Sequence, residues 1–370
     1  MPDSGAFPLY LGGMTRRIRC LLLAFTAASC SSASTRPTDP VSAAVSMPTL
    51  TPQPSGTSNR LQAISPVSDR IAWASGVGGT YLVTSDGGDS WRGGVVPGAD
   101  SLEFRDVEGV SGSIAYLLAA GPGGRSRIYV TTDGGRSWSL QFTNRDTSAF
   151  YDCFAFWGRR RGFTMSDAVG GRFPVVGTTD GESWTDIGDR LPSAQDGEGA
   201  FAASGTCTAT VGDRHGWIST GAAARARVLA TSDGGETWRA YETPIVQGTA
   251  TSGGASVEFR DTLNGLLGGG DIAAPDSFAD NVARSSDGGR TWRLATRTPF
   301  PGAVYGLAYV PGRRSRTVVA TGPGGAAWSA DEGGRWTALE GVKDYWAVAF
   351  ASPKAGWLVG AEGRILRIAF

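Results

Sequence analysis

The sequence predicts an all-β fold, a seven-bladed β-propeller of four-stranded antiparallel blades whose last blade is closed by an N-terminal strand. Three observations lead there. One short phrase recurs six times along the 370 residues, and its closing tryptophans lie 47, 46, 54, 54 and 44 residues apart. Two short apolar runs precede each copy. Helical periodicity is nearly absent, so the repeat sets the architecture.

The phrase reads Ser/Thr-x-Asp-x-Gly-x-x-Trp, give or take one position. Copies run from Thr84 to Trp91, Thr131 to Trp138, Thr231 to Trp238, Ser285 to Trp292 and Ser329 to Trp336, with a copy one residue short from Thr178 to Trp184. Apolar residues lead in, as at Tyr81, Leu82 and Val83, and alternating residues follow, which is strand, tight turn, strand. The aspartates Asp86, Asp133, Asp180, Asp233, Asp287 and Asp331 are expected to accept backbone N–H groups of their own turns. Glycines supply the left-handed angles. The tryptophan offers a large apolar face and an indole N–H that needs a partner when buried. Calcium binding or catalysis is the competing reading of these aspartates; a self-satisfied turn explains every position without it.

Counting units gives the blades. Cys153–Trp157 with Gly162–Ser166, Ser256–Phe259 with Gly265–Gly269, and Leu307–Val310 with Thr317–Thr321 pair as first and second strands, and each phrase adds a hairpin. Six phrases make six blades. The 34 residues after Trp336 hold three more strands (346–351, 356–360 and 364–370) and no phrase. The missing outer strand is expected near Met47–Pro54, which joins the chain ends and hides sheet edges. The blades are expected at 59–99, 100–147, 148–196, 197–250, 251–301, 302–342 and 343–370. The whole of 47–370 is then one closed domain, despite a length that suggests two.

The front end differs in composition. Met14 can serve as the start, followed by basic Thr15-Arg16-Arg17-Ile18-Arg19, a short apolar core from Cys20 to Ala28, and small residues before Cys30. This resembles a bacterial lipoprotein signal, which implies cleavage after residue 29, lipidation of Cys30 and a position in the cell envelope, on the periplasmic or outer-surface side. An ordinary cleaved secretory signal is the alternative, and the apolar stretch is too short for a lasting membrane span. Residues 30–46 read as a flexible tether rich in Ser, Thr, Pro and Ala. Export permits disulfides, and adjacent innermost strands would bring Cys153 and Cys207 close enough to bridge; two buried thiols are the alternative.

Composition narrows the partners. Lys+Arg and Asp+Glu are equal at 34 each, so there is no basic excess for nucleic acid. The single histidine, His215, rules out a multi-histidine metal site and reads as an exposed loop residue. Phosphate loops, dinucleotide fingerprints and CxxC pairs are lacking, so no cofactor and no metal are expected.

Function is therefore sought at the mouth of the central channel. The loops before innermost strands, and those between second and third strands, gather there from every blade. They supply Arg105 and Asp106 from blade two, Tyr151 and Asp152 from blade three, Glu198 before blade four, Tyr305 in blade six, and Tyr345 and Trp346 in blade seven. Second-strand ends add Asp167 and Asp271. Such a mixed acidic, basic and aromatic rim suits a peptide, a glycan or a partner loop; solvated charges with internal salt bridges are the alternative.

The repeated phrases resemble the Asp-box, or bacterial neuraminidase repeat, which implies a hairpin between the third and fourth strands of each blade. Sialidases of that superfamily clamp a carboxylate with three arginines, for which Arg105, Arg172 and Arg260 are the candidates here, with Tyr345 near them. The early Arg-Ile-Pro element of sialidases is missing, Arg70-Ile71-Ala72 standing in its region, and Arg159-Arg160-Arg161 reads as a solvated turn. The stretch 50–370 also resembles bacterial proteins related to the plant photosystem II stability/assembly factor. The unit of innermost strand, Gly-Trp-x-Val-Gly and Asp-box carries this likeness, best seen from Trp346 to Gly360. Phrases at Ser101–Gly109, Phe150–Phe163 and Glu198–Cys207 extend it. The resemblance implies a non-catalytic, exported propeller that binds another protein and has no catalytic residue, and the chain is expected to be a monomer. A glycan-binding or sialidase-like glycoside hydrolase on the same fold is the alternative.

Overall fold

The computed structural model describes residues 47–312 and 316–370. Signal, lipidation and tether expectations, Cys30 included, fall outside the described residues. Seven four-stranded antiparallel sheets are present, each built from strands consecutive in sequence except the last. Innermost strands are Leu61–Pro66, Glu103–Gly109, Tyr151–Trp157, Thr208–Val211, Ser252–Phe259, Gly306–Tyr309 and Tyr345–Ser352. Six sheets lie within the blade ranges expected from sequence, and the seventh joins 343–370 to the N-terminal strand expected near Met47–Pro54. Helical content among the described residues is confined to three-residue 3-10 turns.

Blade seven takes its outer strand from Thr49–Gln53, antiparallel to Ile365–Ala369. This is the closure that the missing phrase requires. Gln53 completes it, because its Oε1 accepts the indole N–H groups of Trp91 (3.2 Å) and Trp357 (3.0 Å), and its Nε2 donates to the Gly87 carbonyl (3.1 Å). Outer strands elsewhere are short, only two residues at Thr185–Asp186, Arg293–Leu294 and Thr337–Ala338, which blunts the exposed edges.

The core lies between blades rather than at the axis. Trp73, Trp217 and Trp357 occupy matching second-strand positions and are fully buried. Each reaches an adjacent blade or the closing strand with its indole N–H, as Trp73 does to the Ser111 carbonyl at 2.8 Å. The repeated turns close on themselves as expected. At Asp133, Oδ1 accepts from the Thr131 hydroxyl (2.9 Å) and the Ser137 N–H (3.0 Å), while Oδ2 accepts from the Ser137 hydroxyl (2.6 Å). Trp138 and Trp238 depart from the expectation for buried indoles, since their N–H groups meet no acceptor.

Candidate functional site

Why certain side chains reach the channel mouth follows from a recurring irregularity. In blades one, two, three, five and seven the innermost strand opens with a β-bulge, so that two residues face one on the second strand. The extra residues are Gln62, Arg105, Asp152, Ala255 and Trp346. A bulge re-aims its unpaired residue out of the ladder. Gln62, Arg105, Asp152 and Trp346 all line one cavity of about 680 Å³ at the mouth. Tyr305 holds the matching position in blade six and lines it too.

The cavity is a cup, because a segment of blade four lies across the channel beneath it. This stretch, 200–206 (AFAASGT), is uncharged and, apart from Phe201, made of small residues. The Ser204 hydroxyl donates to the Tyr305 carbonyl of blade six at 2.5 Å. On the other side Arg105 of blade two reaches the Ala202 carbonyl, and blade three receives the Ala200 N–H on Asp167 Oδ1 at 3.1 Å. Blade five donates the Val257 N–H to the Thr206 carbonyl at 2.9 Å. Gly205 packs so tightly on Asp106 that a Cβ there would sit 2.3 Å from Oδ1. Cys207, which follows, is disulfide-bonded to Cys153 of blade three, with Cα atoms 6.0 Å apart. A second cavity of about 370 Å³ lies on the other side of Thr206, lined by Glu258, Arg260, Tyr309 and Phe350 among others.

Within the cup, Arg105 donates to Glu103 Oε2 through Nε (2.9 Å) and Nη2 (2.7 Å) and lies 5.9 Å from the Phe150 ring centroid. Arg60 sits over the Trp346 ring at 5.4 Å, and Trp346 meets Tyr305 edge-on at 6.1 Å. Asp152 and Asp167 lie beside each other on the cavity, close enough for the charge of one to act on the other. Burial first, and then the Asp167 charge, push the Asp152 carboxyl well above the usual range, against the opposing pull of Arg105. Burial likewise pushes Asp167 up to about 6. Burial and the neighbouring charge thus both favour the neutral form of Asp152.

The expected rim divides in two. Arg105, Asp152, Asp167, Tyr305 and Trp346 come together on the cup. Asp106, Tyr151 and Tyr345 do not, because the bulge turns them back between blades. Asp106 is buried and accepts the N–H groups of Val107 (2.7 Å) and Phe154 (2.8 Å). Tyr151 packs edge-on to Phe142, and Tyr345 lies in the core beside Val348 and Trp328. The Glu198 residue borders the cup, but its side chain is 0% exposed and is held by Arg227, the Thr220 hydroxyl (2.6 Å) and the Gln195 N–H (2.8 Å). It anchors the crossing segment. Asp271 sits at the edge, taking the Thr251 hydroxyl at 2.7 Å. His215 opens a second strand, half-buried beside Trp217, where a loop was expected.

The three arginines considered for a carboxylate clamp stay apart. Arg105 is in the cup. Arg172 pairs with Asp186 (2.7 Å) and Asp189 (2.8 Å), and Arg260 binds Glu332 and Asp261 beside the lower cavity. Sequence reasoning missed Arg60, Gln62, Phe150, Phe201 and Ile272, which also line the cup. Aligning blades by their innermost strands would have found Gln62, since it shares a register with Arg105, Asp152 and Trp346. Among the described residues no group of three or more His, Cys, Asp or Glu could hold a metal ion, and no helix is long and apolar enough to cross a membrane.

Residues 129–140 match the BNR/Asp-box repeat family. No curated protein matches the sequence. Among solved structures, YCF48 bound to D1 peptide is similar with a TM-score of 0.59 at 17% identity, over 87% of this chain and 97% of that one. YCF48 from Cyanidioschyzon merolae gives 0.60 at 16% identity, over 86% and 98%. The GH74 xyloglucanase of Xanthomonas campestris gives 0.58 at 14% identity, over 86% of this chain and 53% of that one. The chain shares the propeller architecture of these proteins and carries a stretch that matches the Asp-box repeat.

Proposed function

We propose that this chain is a non-catalytic, exported binding module whose cup receives a segment of a partner protein. The observation that carries the reading is the cup itself, walled by side chains from all seven blades and floored by the crossing segment. Its wall mixes Phe150, Phe201, Tyr305 and Trp346 with Arg60, Arg105 and the aspartate pair, which suits a peptide offering both apolar and polar groups. The structural neighbour described as bound to a D1 peptide supports a peptide as ligand. Lipidation at Cys30 would tether the cup to an exported membrane face.

Display selection of short peptides on the purified propeller tests the cup, with Trp346→Ala and Arg105→Ala as variants. Selected peptides are expected to lose at least about tenfold in affinity on either variant. Equal binding to all three proteins would remove the cup from the reading. Metabolic labelling with an alkyne fatty acid tests the anchor, and label retained by Cys30→Ser would exclude it.

The alternative is a glycan-binding or sialidase-like glycoside hydrolase. One observation favours it, a carboxyl pair facing an open cavity. Both carboxyls come from blade three, however, Asp152 on its innermost strand and Asp167 just past the end of the adjacent one, on one side of the cavity, whereas glycosidase pairs flank the bond being cut at roughly 5–5.5 Å or 6.5–9.5 Å. Release of dye from chromogenic sialosides, or of sugars from xyloglucan, abolished by Asp152→Asn would restore it.

A further inference from the structure

The cup concentrates unmet hydrogen-bonding capacity. Seven buried side-chain polar atoms lack a protein partner among the described residues, and three of them, Arg60 Nε, Gln62 Oε1 and Asp152 Oδ2, belong to residues that line this one cavity. Asp152 is 1% exposed and Gln62 2%. Orphaned buried polar groups are costly, so their clustering points to complementary groups on whatever fills the space. Two of the three are acceptors, and the neighbouring Asp167 adds carboxylate capacity. Asp167 is held beside Asp152 by the Ala200 N–H at 3.1 Å, so the two carboxyls serve the same part of the cavity.

Resting on the reading of the cup as a peptide site, we propose that its floor is a subsite for a primary ammonium group of the bound partner, seated against Asp152 and Asp167 with Gln62 as a further acceptor. An ammonium carries three N–H donors and no acceptor, matching this set. Any proton held by the carboxyls leaves to solvent as the ammonium binds, and the ammonium keeps its own. The other charged groups on the cavity favour this balance. Arg105 is paired with Glu103, Arg60 lies over Trp346 within 3.9 Å of the same Glu103, Glu198 is closed onto Arg227, and the crossing segment brings no charge.

The ammonium can come from a lysine side chain or from a free chain terminus, and pH separates the two. Because the ammonium favours ionised carboxyls, affinity rises with pH. A lysine continues to bind through about pH 9, whereas an α-amino group loses its charge near about 8 and binding falls again. The probes are Nα-acetyl-lysine methylamide and glycine methylamide, with their fully acetylated counterparts, titrated against the full propeller and read at the Trp346 indole resonance. At least one amine is expected to bind about fivefold or more tighter at pH 8 than at pH 5.5, by proton linkage. Asp152→Asn or Asp167→Asn, checked for native near-ultraviolet dichroism, should abolish that slope. Acetylated probes binding as well as the amines, or binding independent of pH, would overturn the proposal even if neither variant folds. Display-selected peptides that still need Trp346 would then leave the peptide cup standing; none reaching Trp346 would end both.

Discussion

Gln53 accepts the Trp357 indole N–H at 3.0 Å, so a residue from before the first blade holds the core tryptophan of the last. The same side chain also takes the Trp91 indole and donates to Gly87 of blade one. Blade seven and blade one are thus clasped by one amide. Gln53→Ala is expected to lower stability by about 1–3 kcal/mol, since three partners lose their bonds. Urea denaturation measures it, and an unchanged midpoint would show the clasp to be incidental.

The Cys153–Cys207 bridge spans 54 residues and pins the crossing segment at its end. Replacing both cysteines with serine is expected to cost about 2–4 kcal/mol through the freer unfolded chain. Reduction of the wild type in denaturant should produce the same shift. Thiol labelling of both cysteines in the oxidised, denatured protein would contradict the bridge.

Gly205 adopts φ +77° with Asp106 against it. Gly205→Ala therefore meets both a strained backbone and a clash with buried carboxylate oxygen. A loss of about 1–3 kcal/mol is expected. Binding of cup-directed peptides should weaken at temperatures where the variant is still folded, because the floor moves.

Burial pushes Glu258, beside the lower cavity, up to about 8. Its folded pKa lies above the unfolded value, so the native state holds a proton that the unfolded chain releases. Glu258 therefore costs nothing below about pH 4 and destabilises progressively as pH rises toward 8. Glu258→Gln should gain on the order of 1–3 kcal/mol at pH 9 and little at pH 4, the larger figure being tempered by the open cavity. Thermal melts across pH show it; equal gains at both ends would contradict it.

The Ser137 hydroxyl, ahead of its N–H, holds Asp133 down to about 2. A depressed carboxylate contributes stability that is present above its unfolded pKa near about 4 and lost as pH falls toward 2. Asp133→Asn should flatten that acid limb. An unchanged acid profile would mean that the turn does not depend on the charge.

Architecture was legible because it repeats. Six hairpin phrases gave the blades, and a seventh unit without one required the strand found at Thr49–Gln53. The cup was legible only in part, because a bulge shifts facing by one residue. Asp106 and Tyr345 sit beside Arg105 and Trp346 in sequence, yet one of each pair faces the cavity and the other the core. Alternation alone cannot say which. Glu198 was misread for a different reason: its partner Arg227 is on a neighbouring strand, and long-range pairing leaves no local mark. The segment that crosses the channel, mostly Ala, Ser and Gly with Phe201 and Thr206, is indistinguishable in sequence from an ordinary loop.

That crossing stretch turns a ring into a socket. Nothing can be threaded from one side to the other, so whatever docks must back out by the way it came. A chain end or a tight bend fits such a dead end better than the middle of a long strand, and the depth of the recess sets how many of its residues are read.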